Sequence, residues 1–479
     1  MNPTPPFLPD GMSTVMRRSF FSLVLVTAVA GCSWLGPDYT AEQVDIPERW
    51  QWSNEGVGVW PDPTWWQIFA SPELDRMMGE AMAGNRDLKA AVARIAQAEA
   101  QARIAGAAMA PTLGTDAGAT RSSQASSFTG RRTTTKSYSL GATAAYQVNL
   151  FGAEYASTRA AAVRVEASRY DRETVALTVS GAVAQTYFQV LAFRERIRIA
   201  RDSVAASTRL LQLLEEQRRI GTTSDLEVAQ QRVSVANQQA TIPALVQAER
   251  ESLAALALLL GRNPQGFDLR ARNLEGLTLP RVISGMPSEL LQRRPDIRTA
   301  EANLRAANLD IQAARAARFP TIALTADGGT ASAALGSLFT PASMLYTLAA
   351  SLTAPIFQGG RLKGQEELTQ ARYEELIETY RTAILDGFRD VDNALSAVDQ
   401  FRQQYAFNLR ARTEAREAYR LAELRYRAGT VDFLTVLITQ RSVLDAEDAL
   451  VQSQLAHINA LVGLYQALGG GWSGASARR

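Results

Sequence analysis

The chain has 479 residues, 46% hydrophobic but only 8% aromatic, with a formal net charge of +2 at pH 7. That balance fits long, closely packed helices and argues against a nucleic-acid or other polyanionic partner. A single histidine, His457, and a single cysteine, Cys32, leave no Cys/His zinc site and no internal disulfide, and at most one triad, which removes several enzyme classes; with the charged residues placed as on solvated helix faces and no catalytic cluster in view, neither an enzyme nor a metal site is expected.

Residues 1–31 read as a signal peptide whose better start is Met16. Arg17 and Arg18 precede an apolar run, Phe20 to Val29, that is too short to span a bilayer stably. Val29-Ala30-Gly31-Cys32 resembles a bacterial lipobox, so a covalent lipid on Cys32 is expected and no other cofactor. Ser33 is not the aspartate that signals inner-membrane retention, which points to the outer membrane. Residues 32–84 form an N-terminal segment carrying PDPTWWQIF, whose tryptophans are expected to pack rather than bind.

From Asn85 the chain reads NRDLKAAVARIAQAEAQARIAGAAMAPTL, and from Arg294 RPDIRTAEANLRAANLDIQAARAARFPTI. YQVNLFG (146–152) answers APIFQGG (354–360), and RRIGTTSDLEV (218–228) answers YRAGTVDFLTV (426–436). Three pairs in the same order, roughly 208 residues apart, mean a tandem duplication: 85–284, then 285–472, with a tail over 473–479.

Each repeat is expected to open with a helix of about 25 residues ending at proline, Pro111 or Pro320. Leu113, Thr115 and Ala117, and then Ile322, Leu324 and Ala326, begin short strands. Polar loops over 123–136 and 327–343 lead to second strands. Those alternate strictly, through Tyr138, Leu140, Ala142, Ala144, Tyr146, Val148 and Leu150 in one half and Tyr346, Leu348, Ala350, Leu352, Ala354 and Ile356 in the other. A proline-free run from Ala153 to about Arg218 follows, with a four-three seam through Val179, Val183, Thr186, Val190, Phe193, Ile197, Ala200, Val204, Ser207, Leu211 and Leu214. As a helix it reaches roughly 100 Å. Gly221-Thr222 stops it, Ser224 and Glu227 restart the chain as a capping box, and the turn recurs at Gly429-Thr430. No later segment has the unbroken apolar run of a transmembrane helix. If the alternating strands enter a membrane they must close into a barrel, and four per chain are too few, so copies must share one.

MPSELLQRRPDIRTAEANLRAAN with ARFPTIALTADGG, PTWWQIF, YRAGTVDFLTV and ALGGGW resemble the RND-type outer-membrane efflux lipoproteins, the OprM/NodT branch of the TolC superfamily, from Cys32 to Trp472. The resemblance implies a mixed, mostly helical fold: a trimer with a twelve-stranded outer-membrane β-barrel joined to a periplasmic α-helical barrel. It implies an exit channel for drugs or other small toxic molecules, fed by a periplasmic adaptor and an inner-membrane RND transporter. Ducts for type I protein secretion or metal efflux are the alternative, and a non-channel lipoprotein scaffold is a weaker one. It also implies an adaptor-contacting tip at Arg219, Gly221, Thr222 and Thr223 and at Arg427, Gly429, Thr430 and Val431. A pore gate is implied at Tyr426, Leu434, Ile438 and Arg441, with Leu434 at a hydrophobic ring position and Tyr426 and Arg441 at positions often tied into a polar latch between neighbouring helices. Relatives frequently place aspartate where this chain has Ile438, so the expectation here is a hydrophobic constriction. Asn149 likewise replaces a usual aspartate, which puts any ion pair there in doubt.

Overall fold

The structure, a computed structural model, describes residues 39, 44–52, 62–125, 130–277, 287–470 and 472. Cys32 and the signal segment lie outside the described residues. Helices α1 (Pro72–Gly84) and α2 (Arg86–Ala107) lead to strands β1 (Thr112–Ala125) and β2 (Arg132–Val148), then to α3 (Ala153–Arg219) and α4 (Asp225–Leu259). After α5 (Pro287–Arg293) the order repeats as α6 (Pro295–Ala316), β3 (Thr321–Ser332), β4 (Met344–Thr353), α7 (Arg361–Arg427) and α8 (Phe433–Ala467). The halves match in helix length: 22 residues for α2 and α6, 67 for α3 and α7, and 35 for α4 and α8.

The chain forms two compact units. The first comprises 1–42, 97–165 and 302–378 and holds the sheet. Its four strands lie in the order β1-β2-β3-β4, every neighbour antiparallel. The register decides what the sheet can do. Leu113 pairs with Ala144, Ala144 with Ala326, and Ala326 with Leu348. Side chains alternate along each strand. One face therefore collects Tyr138, Leu140, Tyr146, Ile322, Leu324, Tyr346, Leu348 and Leu352, and the other Thr112, Asp116, Thr143, Thr325, Asp327 and Thr347. Below the sheet, Phe151 stacks on Phe319 at 4.8 Å, and Glu366 accepts from Arg315 at 3.0 Å and Arg318 at 2.6 Å.

Several boundaries differ from the sequence reading. Both opening helices stop four residues short of their proline, at Ala107 and Ala316, and the gap is taken up by i→i−3 turns such as Met109 onto Gly106 and Phe319 onto Ala316. Proline disfavours helical backbone in the residue before it as well as at its own position. Of the polar stretches predicted as loops, 123–136 is strand over 123–125 and 132–136, while 327–343 is strand only to Ser332 and then turns through 3-10 segments at Leu335–Ser337 and Pro341–Ser343. The β1–β2 ladder runs out to Ala125↔Arg132, and β3 reaches Ser332. Interstrand hydrogen bonds tolerate Ser, Thr and Arg wherever water or headgroups meet the side chains. At the other end Leu150, Ala354 and Ile356 fall outside the strands. One window of α3 is apolar enough to cross a bilayer by composition, with mean hydropathy 1.3, but 56% of it is buried in the protein.

The second unit comprises 43–96, 166–301 and 379–479. Its core joins Trp65 and Phe69, on a single 3-10 turn, to Leu74 and Met78 of α1, Val183, Tyr187, Phe188 and Leu191 of α3, Leu256 of α4, and Ile458, Leu461 and Tyr465 of α8. Trp65 stacks on Tyr465 at 5.2 Å, and the Ser71 and Tyr187 hydroxyls are 3.0 Å apart. Burial pushes the Tyr465 hydroxyl up to about 12. Trp472 meets Tyr170 edge-on at 5.7 Å.

Candidate gate and docking tip

Both helical hairpins turn by the same backbone chemistry. Gly221 and Gly429 take positive φ, 80° and 71°, which an L side chain reaches only with strain. Each glycine lets the next residue close the helix: Thr222 N–H donates to Gln217 O and Thr430 N–H to Arg425 O, both at 2.9 Å. The Thr222 and Thr430 hydroxyls donate to the same carbonyls at 3.0 and 3.1 Å. This satisfies carbonyls that a helix end leaves open.

The return helices start differently. Ser224 accepts from Glu227 N–H at 3.3 Å while Ser224 N–H donates to Glu227 at 3.1 Å, a reciprocal capping box. In the second half Asp432 accepts from Thr435 N–H at 3.0 Å and from its hydroxyl at 2.6 Å. The Thr435 hydroxyl, then its N–H, hold the Asp432 carboxyl below its ordinary 3.8.

A small core ties the two hairpins together at this end. Leu214, Val228, Phe433 and Val436 are buried there, with Leu211, Tyr419, Tyr426 and Leu437 packed around them. The Tyr426 ring lies 5.4 Å from that of Phe433. Its hydroxyl reaches Thr223 and Glu227 of the other hairpin, and burial pushes it up. Tyr419 shares a hydrogen bond with Gln440, and burial raises it too. Sequence reasoning missed this cluster; the signal was present in Leu211 and Leu214 running to the end of the seam, with Val228 and Val436 repeating in the two halves.

Of the predicted gate residues, Leu434 and Ile438 stand 50% and 58% exposed. Both line a groove of about 720 Å³ between α4 and α8, opposite Leu226, Val233 and Asn237. Arg441 lines it as well and pairs with Asp445 at 3.6 Å, one turn along its own helix. The structure thus brings Leu434, Ile438 and Arg441 to one surface and sends Tyr426 into the tip core. Of the predicted tip residues, Arg219, Gly221, Thr222, Arg427, Gly429 and Thr430 are exposed, while Thr223 and Val431 are half-buried. Arg219 pairs with Glu216, and Arg427 with Glu423. Ile220, also exposed, completes the apolar part of the first turn. Elsewhere, Asn149 accepts from Glu154 N–H at 3.3 Å in the first turn of α3, a role that needs no charge.

The sequence profile of outer membrane efflux proteins matches residues 77–262 and 286–470, one segment in each half. The pyoverdine export outer membrane protein OpmQ of Pseudomonas aeruginosa is 41% identical, over 95% of this chain and 98% of its own. The solvent efflux pump outer membrane protein SrpC of Pseudomonas putida is 33% identical, over 96% and 99%. Among solved structures, the open state of the MtrE outer membrane channel of Neisseria gonorrhoeae superposes with a TM-score of 0.83 at 31% identity, covering 91% of this chain and 98% of that one.

Proposed function

Because the chain belongs to the outer membrane efflux protein family and is an outer-membrane efflux channel rather than an enzyme, we propose how it works: three copies close one barrel, and the helical tips receive cargo from a periplasmic adaptor fed by an inner-membrane RND transporter. The observation that carries this is the sheet. Its large apolar residues other than Leu345 share one face, and β1 and β4 are its two edges. A lipid-facing sheet cannot leave its edges unpaired, and three four-stranded sheets joined β4 to β1 close with none. The polar face, with Asp116 and Asp327, then lines the lumen. A lipid on Cys32 anchors the chain beside that barrel.

The gate is a hydrophobic narrowing built by Leu434 and Ile438 on the α8 face of the groove, with Arg441 at its margin. Tyr426 acts from behind, holding the second hairpin against Thr223 and Glu227 of the first. Arg219 to Thr223 and Arg427 to Val431 form the surface offered to the adaptor. The 41% likeness to a pyoverdine export protein supports small-molecule cargo.

The test is the mass of the detergent-solubilised protein, corrected for bound detergent, before and after strong heating. A heat-sensitive assembly of three chains is expected. A protein that stays monomeric overturns the shared barrel and promotes the lipid-anchored scaffold. For the gate, current through a channel opened by Tyr426→Phe with Arg441→Ala is expected to be insensitive to millimolar divalent cations. Strong block lost in Ile438→Ala sinks the hydrophobic reading of that position.

A further inference from the structure

The β1–β2 hairpin extends beyond its neighbours. β2 pairs with β3 only as far as Tyr138↔Ser332, whereas β1 and β2 stay paired to Ala125↔Arg132. On that extension Arg121 stands opposite Lys136, Ser123 opposite Thr134, and Ala125 opposite Arg132. Strand alternation puts all of them on the face of Tyr138, Leu140 and Ala142, which is the lipid face and not the lumen. All three cations are exposed, and among the described residues none is ion-paired. The Ser123 and Thr134 hydroxyls lie 3.4 Å apart between them. Like charges set directly opposite on paired strands repel, so an anion lying across both removes a cost that the bare hairpin carries.

Height fixes what that anion is. The apolar stripe from Val148 to Tyr138 spans ten residue steps, about 34 Å along a strand and about 25 Å upright at the usual barrel tilt. That matches the hydrocarbon band of an outer-membrane barrel, so Tyr138 sits at its rim and the Arg121–Lys136 pair about 5 Å beyond. The other strand ends, Thr112, Val148, Thr321 and Thr353, lead to the helices on the periplasmic side. The cations therefore face the outer leaflet, at headgroup level, where basic clusters recognise anionic lipid.

We propose that Arg121, Arg132 and Lys136, with Ser123 and Thr134, bind the phosphate groups of a phosphorylated glycolipid of the outer leaflet, one site per chain. This rests on the barrel reading above. The experiment is native mass spectrometry of the intact full-length assembly, titrated with bis-phosphorylated lipid A, with its dephosphorylated form, and with inorganic phosphate as competitor. The expected result is a trimer that retains up to three phosphorylated lipids, prefers them over the dephosphorylated form, and does not release them to free phosphate. R121Q/K136Q is expected to weaken retention about thirtyfold, two cations each contributing the usual single-charge attraction to headgroups, while R121K/K136R keeps it. A trimer that retains both lipids equally overturns the proposal and leaves the barrel standing, even if the neutralised variant fails to assemble. Displacement by inorganic phosphate also overturns it, because the site is then one for free anions. Monomers alone in the spectrum sink the barrel reading itself.

Discussion

The two hairpin turns are duplicates in backbone and opposites in side-chain chemistry. Arg218 and Asp225 flank the first and form an ion pair of 2.5 Å. The equivalent positions flanking the second hold Tyr426 and Phe433, whose rings are 5.4 Å apart. Asp225 has an 83% exposed side chain, whereas Phe433 is 2% exposed. One sequence relation, a pair bridging the turn, has been kept while its medium changed from water to a packed core. The first hairpin closes on itself. The second closes on its neighbour, through Phe433 against Leu214 and Val228. The aromatic pair thus makes the position of the second hairpin depend on the first.

The comparison breaks most visibly at Phe433. Phe433→Ala removes a fully buried ring and is expected to cost about 3–5 kcal/mol of local stability, read as faster amide exchange across both turns. If exchange rises only in the second turn, the hairpins are not tied as described. Gly221→Ala and Gly429→Ala come next, each expected to cost about 1–2 kcal/mol because both glycines are left-handed. Equal losses in thermal unfolding mark the shared backbone, and a clear inequality contradicts it.

The Asp432 cap makes the second turn sensitive to pH. The folded-state Asp432 carboxyl lies below the unfolded value of 3.8, so its contribution is complete above that value and fades as pH falls through the folded one. Acidification is therefore expected to loosen the second turn through its cap, with amide exchange compared at pH 5 and pH 3. Asp432→Asn should remove that difference, while Ser224→Ala costs about 1 kcal/mol, the typical loss for a missing cap. The smallest effect is expected from Asp225→Ala, an exposed pair worth at most about 1 kcal/mol and screened by salt.

Much of this was legible in the sequence, wherever the determining forces are local. Gly221, Gly429 and the Ser224–Glu227 box announce the turns because backbone strain and capping act within a few residues. The apolar alternation from Tyr138 to Val148 announces the lipid face for the same reason. The polar flank from Arg132 to Lys136 was misread as loop, since Ser, Thr and Arg carry turn chemistry in isolation and strand character only once Arg121 and Ser123 lie across from them. Ala184, Tyr187, Phe188, Leu191 and Ala192 are buried beyond the predicted seam, because Trp65, Phe69 and Leu74 pack on Tyr187, Phe188 and Leu191 from far upstream. The partners of Tyr426 were hidden likewise. Tyr426 was expected at the gate, but that Thr223, Glu227 and Phe433 would be its partners depends on packing between the two hairpins.

The unpaired edges at β1 and β4 have a genetic meaning. A chain whose β4 edge is broken, by a proline at Leu348 for instance, still offers an intact β1 to its neighbours. It can therefore enter an assembly that it cannot finish. Where such a chain and the normal one are made in equal amounts and mix freely, only about one trimer in eight is built wholly from normal chains. Edge mutations should thus behave as dominant alleles, lowering the yield of finished assemblies in cells that still carry a working copy.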